Sequence, residues 1–180
     1  MKSSDVARVR EILATVKPLA AEYYRLTGKP LGVTREVAEY VASELLRIKL
    51  VPARTEGHDA LRGKERIQIK GRAYGEKSRS QRISKITLDA SCDTVLLVLL
   101  DNRTLEALEI WEARYCDVCE CLKKPGSKAR ARGSLAVSTF KGIACRIWKA
   151  GKGDGKHREA CMHVVRKGKV VKLSCARALC

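Results

Sequence analysis

Polar and apolar positions recur along this chain with two different periods, and the switches between them predict its elements. Val6, Val9, Ile12, Leu13 and Val16 follow at helical spacing behind Ser3, Ser4 and Asp5, which offer caps. Pro18 is expected to kink or end that helix, and a second segment continues through Leu19, Tyr23 and Leu26 to a stop at Gly28. The next helix is capped by Thr34, with Glu36 in its first turn, where the macrodipole favours a carboxylate. Val37, Val41, Leu45 and Ile48 form its buried stripe. Glu44 falls within that stripe and needs a partner or a function; Glu39 falls on the far, solvated face.

The period then shortens to two. Between Arg66 and Arg72, Ile67 and Ile69 share one face while Arg66, Gln68, Lys70 and Arg72 share the other, as in a strand with a core face and a polar working face. Tyr74 to Lys85 is polar, basic and loop-like. Thr94 to Leu100 is nearly continuous in apolar residues, which marks a central strand buried on both sides. A turn at Asp101-Asn102 leads to a further strand over Leu108 to Trp111. Ser138 is expected to cap a short helix running through Phe140, Ile143 and Ile147 to Trp148. Gly151, Gly153 and Gly155 read as a linker, and a hairpin is expected around Lys167-Gly168. These features divide the chain into an α/β domain over 1–150 and a basic, cysteine-containing appendage over 151–180.

Composition narrows the partners. With 180 residues, 45% hydrophobic and 32% charged, the chain reads as globular rather than disordered. Its net charge of +17 is not something a fold requires, and it makes most sense opposite a polyanion. Nucleic acid is the leading candidate, DNA before RNA, and an anionic membrane surface the second. No stretch is long or apolar enough to span a bilayer; of the two polyanions, nucleic acid is the expected partner and the membrane is not. The polar, mixed-charge segment Met1 to Arg10 does not resemble a signal peptide, which suggests a cytoplasmic location and reads the eight cysteines as thiols. From Leu122 to Gly153 nine lysines and arginines occur without one acid. Lys77, Arg79 and Arg82 in one basic loop, and Lys128, Arg130 and Arg132 in another, would make phosphate contacts together with Arg72.

One constellation carries chemistry. Gly57-His58-Asp59-Ala60 precedes the strand that bears Gln68-Ile69-Lys70. Over roughly Gly32 to Trp111 this resembles the PD-(D/E)XK nuclease superfamily, in the Gln-x-Lys form found in Mrr-like endonucleases. Gly32 followed by Glu36 is similar to the helix that supplies an extra glutamate in Holliday-junction resolvase-like members. The resemblance implies an α/β fold with a restriction endonuclease-like core, a small mixed sheet flanked by helices. It also implies a deoxyribonuclease dependent on Mg²⁺ (or Mn²⁺), of the restriction or mobile-element type. By that resemblance Asp59 would be the indispensable metal ligand, assisted by the Gln68 side-chain oxygen and the Ile69 carbonyl. Lys70 would orient the attacking water and stabilise developing charge, and Glu36 would hold a metal-bound water or a second ion. Gln68 stands where most of the superfamily has an acid, which removes one negative charge from the site. Cleavage of a duplex by a one-site nuclease calls for a dimer, so a homodimer is also in view.

Two further readings remain. One keeps the fold as an inactive DNA-binding module. The other is a zinc-stabilised RNA-binding protein, with Cys116 and Cys119 joined by Cys161 and His163. Cys161-x-His163 is tighter than the usual zinc knuckle, and Tyr115 to Leu122 also reads as a helix carrying ordinary thiols.

Overall fold

The computed structural model describes residues 3–52, 55–75, 81–88, 90–151, 163–166 and 169–172. Its centre is the apolar run predicted as a buried strand. Strand β4 (Thr94–Asp101) is buried at every position but its last, with Val95, Leu97 and Leu99 on one side and Leu96, Val98 and Leu100 on the other. Such a strand needs cover on both faces, and the chain supplies it. Helices α1 (Ser3–Thr27) and α2 (Thr34–Leu46) cover one face. Helices α3 (Tyr115–Lys123) and α5 (Val137–Ile143) cover the other, with Ile83 and Ile86 from the segment after β3.

Around β4 lie β1 (Lys49–Leu50), β2 (Ala60–Arg62), β3 (Glu65–Tyr74), β5 (Ala107–Arg114) and β6 (Cys145–Lys149), in the spatial order β1-β2-β3-β4-β5-β6. Only β3 and β4 run parallel; the other neighbours are antiparallel. The architecture is therefore mixed α/β, as the pattern predicted. A short α4 (Lys128–Ala131) lies between α3 and α5, and β7 (His163–Arg166) with β8 (Lys169–Lys172) forms a separate antiparallel pair flanking Lys167-Gly168.

Several expectations change; among them, Ser138 lies inside α5, whose cap position is Ala136 with no side-chain cap bond. α1 runs unbroken through Pro18. The proline removes one donor, but the carbonyl it would have met belongs to Ala14, which is exposed, where water can take the bond. Thr34 is the first helical residue of α2; the cap position is Val33, with no side-chain cap bond. Beyond Ile143 the chain leaves the helix, and Ile147 and Trp148 belong to β6, which pairs with β5 through Ile110 opposite Trp148. The apolar spacing there fits either period over so few residues, and pairing with an open sheet edge decides it.

α2 is seated unusually closely on the sheet. A Cβ at Gly71 would lie 2.6 Å from Ala38 Cβ and 2.7 Å from the Thr34 carbonyl oxygen, so only glycine lets the first turn of α2 rest on β3. That contact fixes where Arg35, Glu36 and Glu39 stand relative to the strand. Glu44 finds its partner in Arg10, whose NH2 group donates at 2.6 Å.

Candidate functional site at the β2–β3 edge

Asp59 lies one residue before β2, and its backbone extends the ladder. Its N–H donates to the Ile67 carbonyl at 2.8 Å, and its carbonyl accepts from Val51 N at 3.1 Å. The approach to it is set by Gly57, at φ +84°, where a Cβ would meet Ser91 N at 2.7 Å. β2 pairs with β3 only from Glu65 to Ile67. Past that point the Asp59 side chain takes over: Oδ2 accepts the Ile69 N–H at 2.8 Å. Asp59 is thus held by three hydrogen bonds that owe nothing to any ligand.

Its other oxygen faces a cation. Arg35 NH2 donates to Asp59 Oδ1 at 3.1 Å, and Arg35 Nε donates to Glu39 Oε1 at 2.6 Å. Glu39, expected on the far, solvated face, is instead half-buried and shares Arg35 with Asp59. Burial raises the pKa of its carboxyl, the Arg35 hydrogen bond opposes that, and the nearby Asp59 charge adds to the rise. Glu36 is exposed in the first turn of α2, close enough for its charge to act on Glu39. Sequence reasoning passed over Arg35 and Glu39. Their signal was the (i, i+4) spacing of an Arg–Glu pair, which is ordinarily a surface feature.

Gln68, Lys70 and Arg72 stand on one face of β3, opposite Val95, Leu97 and Leu99 of β4. This is the polar working face that the alternation predicted, now roofed by the second core. Burial holds the Lys70 ammonium below the usual lysine range, while the Asp59 carboxylate pulls it back up. Two atoms on this face are buried without a hydrogen-bond partner: Gln68 Oε1 and Arg72 Nε. Leaving such groups unmet costs on the order of 1–3 kcal/mol each. Cys92, beside them, is buried; its thiol is pushed up to about 11 by desolvation, and its Sγ lies 3.0 Å from the Thr94 carbonyl.

The donor types suit a hard divalent cation. Asp59, Glu39 and the orphaned Gln68 amide are all oxygen donors, the kind magnesium prefers. Among the described residues, however, no three His, Cys, Asp or Glu side chains converge as a ready metal cluster. Cys116, Cys119 and Cys121 ride on α3, with Cys121 buried and the other two partly so. Cys161 and the side chain of His163 lie outside the described residues, so the zinc arrangement does too.

The basic residues divide by what they touch. Arg82 is used within the fold: its guanidinium bonds the Ser134 hydroxyl and carbonyl, next to a bridge between Arg82 and Ala136. Arg130 NH1 donates to the Pro125 carbonyl at 2.9 Å. Lys141 and Arg146 both bond Glu109, and Lys141 lies 5.2 Å from the Tyr74 ring centre and 5.0 Å from that of Trp111. Lys128 and Arg132 are exposed, with no side-chain partner among the described residues. Lys77 and Arg79 lie outside those residues.

No family model matches the chain, and no curated protein matches it either. Among the described residues no helix is long and apolar enough to cross a membrane.

Proposed function

We propose that this protein is a divalent-metal-dependent endonuclease that cuts DNA, with a restriction endonuclease-like core and its site at the β2–β3 edge. The observation that carries the reading is Asp59 anchored to the Ile69 N–H at 2.8 Å beside a desolvated Lys70. The Asp59 charge acts on the partly buried Lys70 ammonium, which supports reading the two as the acid and the lysine of one Asp…Gln-x-Lys site. Magnesium would be held by Asp59 with help from Gln68 Oε1 and the Ile69 carbonyl, and would supply Lewis-acid stabilisation of the phosphoryl oxygens. Lys70, poorly solvated beside the Asp59 charge, would orient the attacking water and meet the negative charge that develops on phosphorus. Arg72 and the exposed Lys128 and Arg132 bind phosphate, and the net charge of +17 draws the polyanion in. A cytoplasmic location and action as a homodimer complete the reading.

Two observations favour a second reading. Arg35 already neutralises Asp59, and position 68 is glutamine, so the site carries less negative charge than a metal centre of this kind usually does. The protein would then be a DNA-binding module without cleavage. Incubating DNA with the protein in Mg²⁺ or in EDTA separates the two: cutting only with metal supports the first, and binding without cutting supports the second.

A further inference from the structure

Arg35 occupies an odd place for a side chain so far out in solvent. Its guanidinium side chain is 71% exposed, whereas the two carboxylates it joins are 24% (Glu39) and 16% (Asp59) exposed. The acids are therefore built in, and the cation between them is laid on from outside. Each carboxylate receives one nitrogen, Nε for Glu39 and NH2 for Asp59. A bidentate clamp on a single acid would hold more firmly than this shared grip.

The Asp59 carboxylate does not depend on Arg35 for its position, whereas the Glu39 carboxylate has Arg35 as its hydrogen-bond partner. Asp59 is fixed by Ile69 N, and its backbone by Ile67 and Val51. Glu39 rides on α2, which Gly71 allows to sit against β3. Arg35 does change the charge balance, because without it two neighbouring, partly desolvated carboxylates would face each other unscreened. Such a pair attracts whatever cation is at hand.

We propose that Arg35 is an exchangeable counter-cation: it pairs with Asp59 and Glu39 and yields Asp59 to a divalent metal ion. This rests on the metal-dependent reading above and deepens it by naming what the metal must displace. Arg35 acts on the charge balance of the acids and not on substrate. Its exposure lets the side chain swing into water, and the cost falls on the partly desolvated carboxylates it leaves, which the metal ion then meets. The exchange sets the metal concentration at which the site fills.

The test titrates Mn²⁺ alone into full-length wild type, Arg35→Gln and Arg35→Lys, following free Mn²⁺ by electron paramagnetic resonance. Thermal melting is measured in EDTA and in Mg²⁺ on the same samples. Arg35→Gln is expected to bind Mn²⁺ on the order of tenfold more tightly, as removal of a competing charge at this range implies. It should also melt lower in EDTA and gain more from Mg²⁺ than wild type. Arg35→Lys, which keeps the charge but reaches one acid at a time, should fall between, and it serves if the glutamine variant folds poorly. Wild type that binds metal and cuts DNA, beside an Arg35→Gln protein that binds Mn²⁺ no more tightly, overturns the role of Arg35 and leaves the nuclease standing. Failure of every protein to bind Mn²⁺ overturns both.

Discussion

The carboxylate of Asp59 stands in for a missing strand: its Oδ2 accepts the Ile69 N–H at 2.8 Å, beyond the stretch of β3 that β2 pairs with. The same residue therefore closes a backbone hydrogen bond and carries the proposed chemistry, and two substitutions separate these roles. Asp59→Ala should destabilise the protein by about 1–3 kcal/mol, because Ile69 is 2% exposed and its N–H would be left unmet. Asp59→Asn keeps an acceptor oxygen and should cost clearly less. Urea unfolding of the two variants checks this; equal losses would show that the bond to Ile69 N contributes nothing.

The seating of α2 gives a second expectation. Gly71→Ala forces a methyl group against the Ala38 side chain and the Thr34 backbone, and backbone cannot swing aside. A loss of about 1–3 kcal/mol is expected from overpacking, measured as a lower denaturation midpoint. An unchanged midpoint would mean α2 is free to lift from the sheet.

Asp93 gives a pH signature. Its pKa is lowered first by the Arg66 side-chain hydrogen bonds, at 3.0 and 3.1 Å, and then by the Arg66 backbone N–H at 2.9 Å. A carboxyl whose folded pKa is depressed adds stability that is present above its unfolded value and is lost as pH falls through the folded one. Asp93→Asn should therefore lower stability at neutral pH while flattening the decline below about pH 4, the ordinary aspartate range. Parallel acid titrations of the two proteins would refute this by giving the same slope.

Much of this is legible in the sequence. The alternation at Ile67 and Ile69 gave both the strand and its polar face, because period two has a single structural meaning when sustained. The unbroken run at β4 did likewise. Short mixed stretches failed: Ile147 and Trp148 fit a helix as well as a strand, and only the free edge of β5 settles them. The polar partners of the site were less readable. Nothing local distinguishes Glu39 from a solvated helix residue, since its relation to Asp59 arises from the packing of α2 at Gly71. Arg82 erred the other way, a surface-looking cation absorbed by Ser134.

That division of the basic residues sharpens the expectation for binding. Lys128→Ala with Arg132→Ala should lower the slope of log affinity against log salt by about 0.9 per lost contact on duplex DNA. Arg82→Ala should act mainly on stability, since its guanidinium holds Ser134. Salt titrations of binding with both proteins decide it. An unchanged slope in the double variant would remove Lys128 and Arg132 from the interface.

The most direct measurement is cleavage of supercoiled plasmid by wild type and by Asp59→Asn, in Mg²⁺, Mn²⁺ and EDTA, with DNA binding followed in the same samples. The account predicts metal-dependent cutting by wild type, and an Asp59→Asn protein that binds DNA at least as tightly but does not cut. Asp59→Asn protein that cuts at the wild-type rate, or wild type that binds and never cuts in either metal, would contradict it.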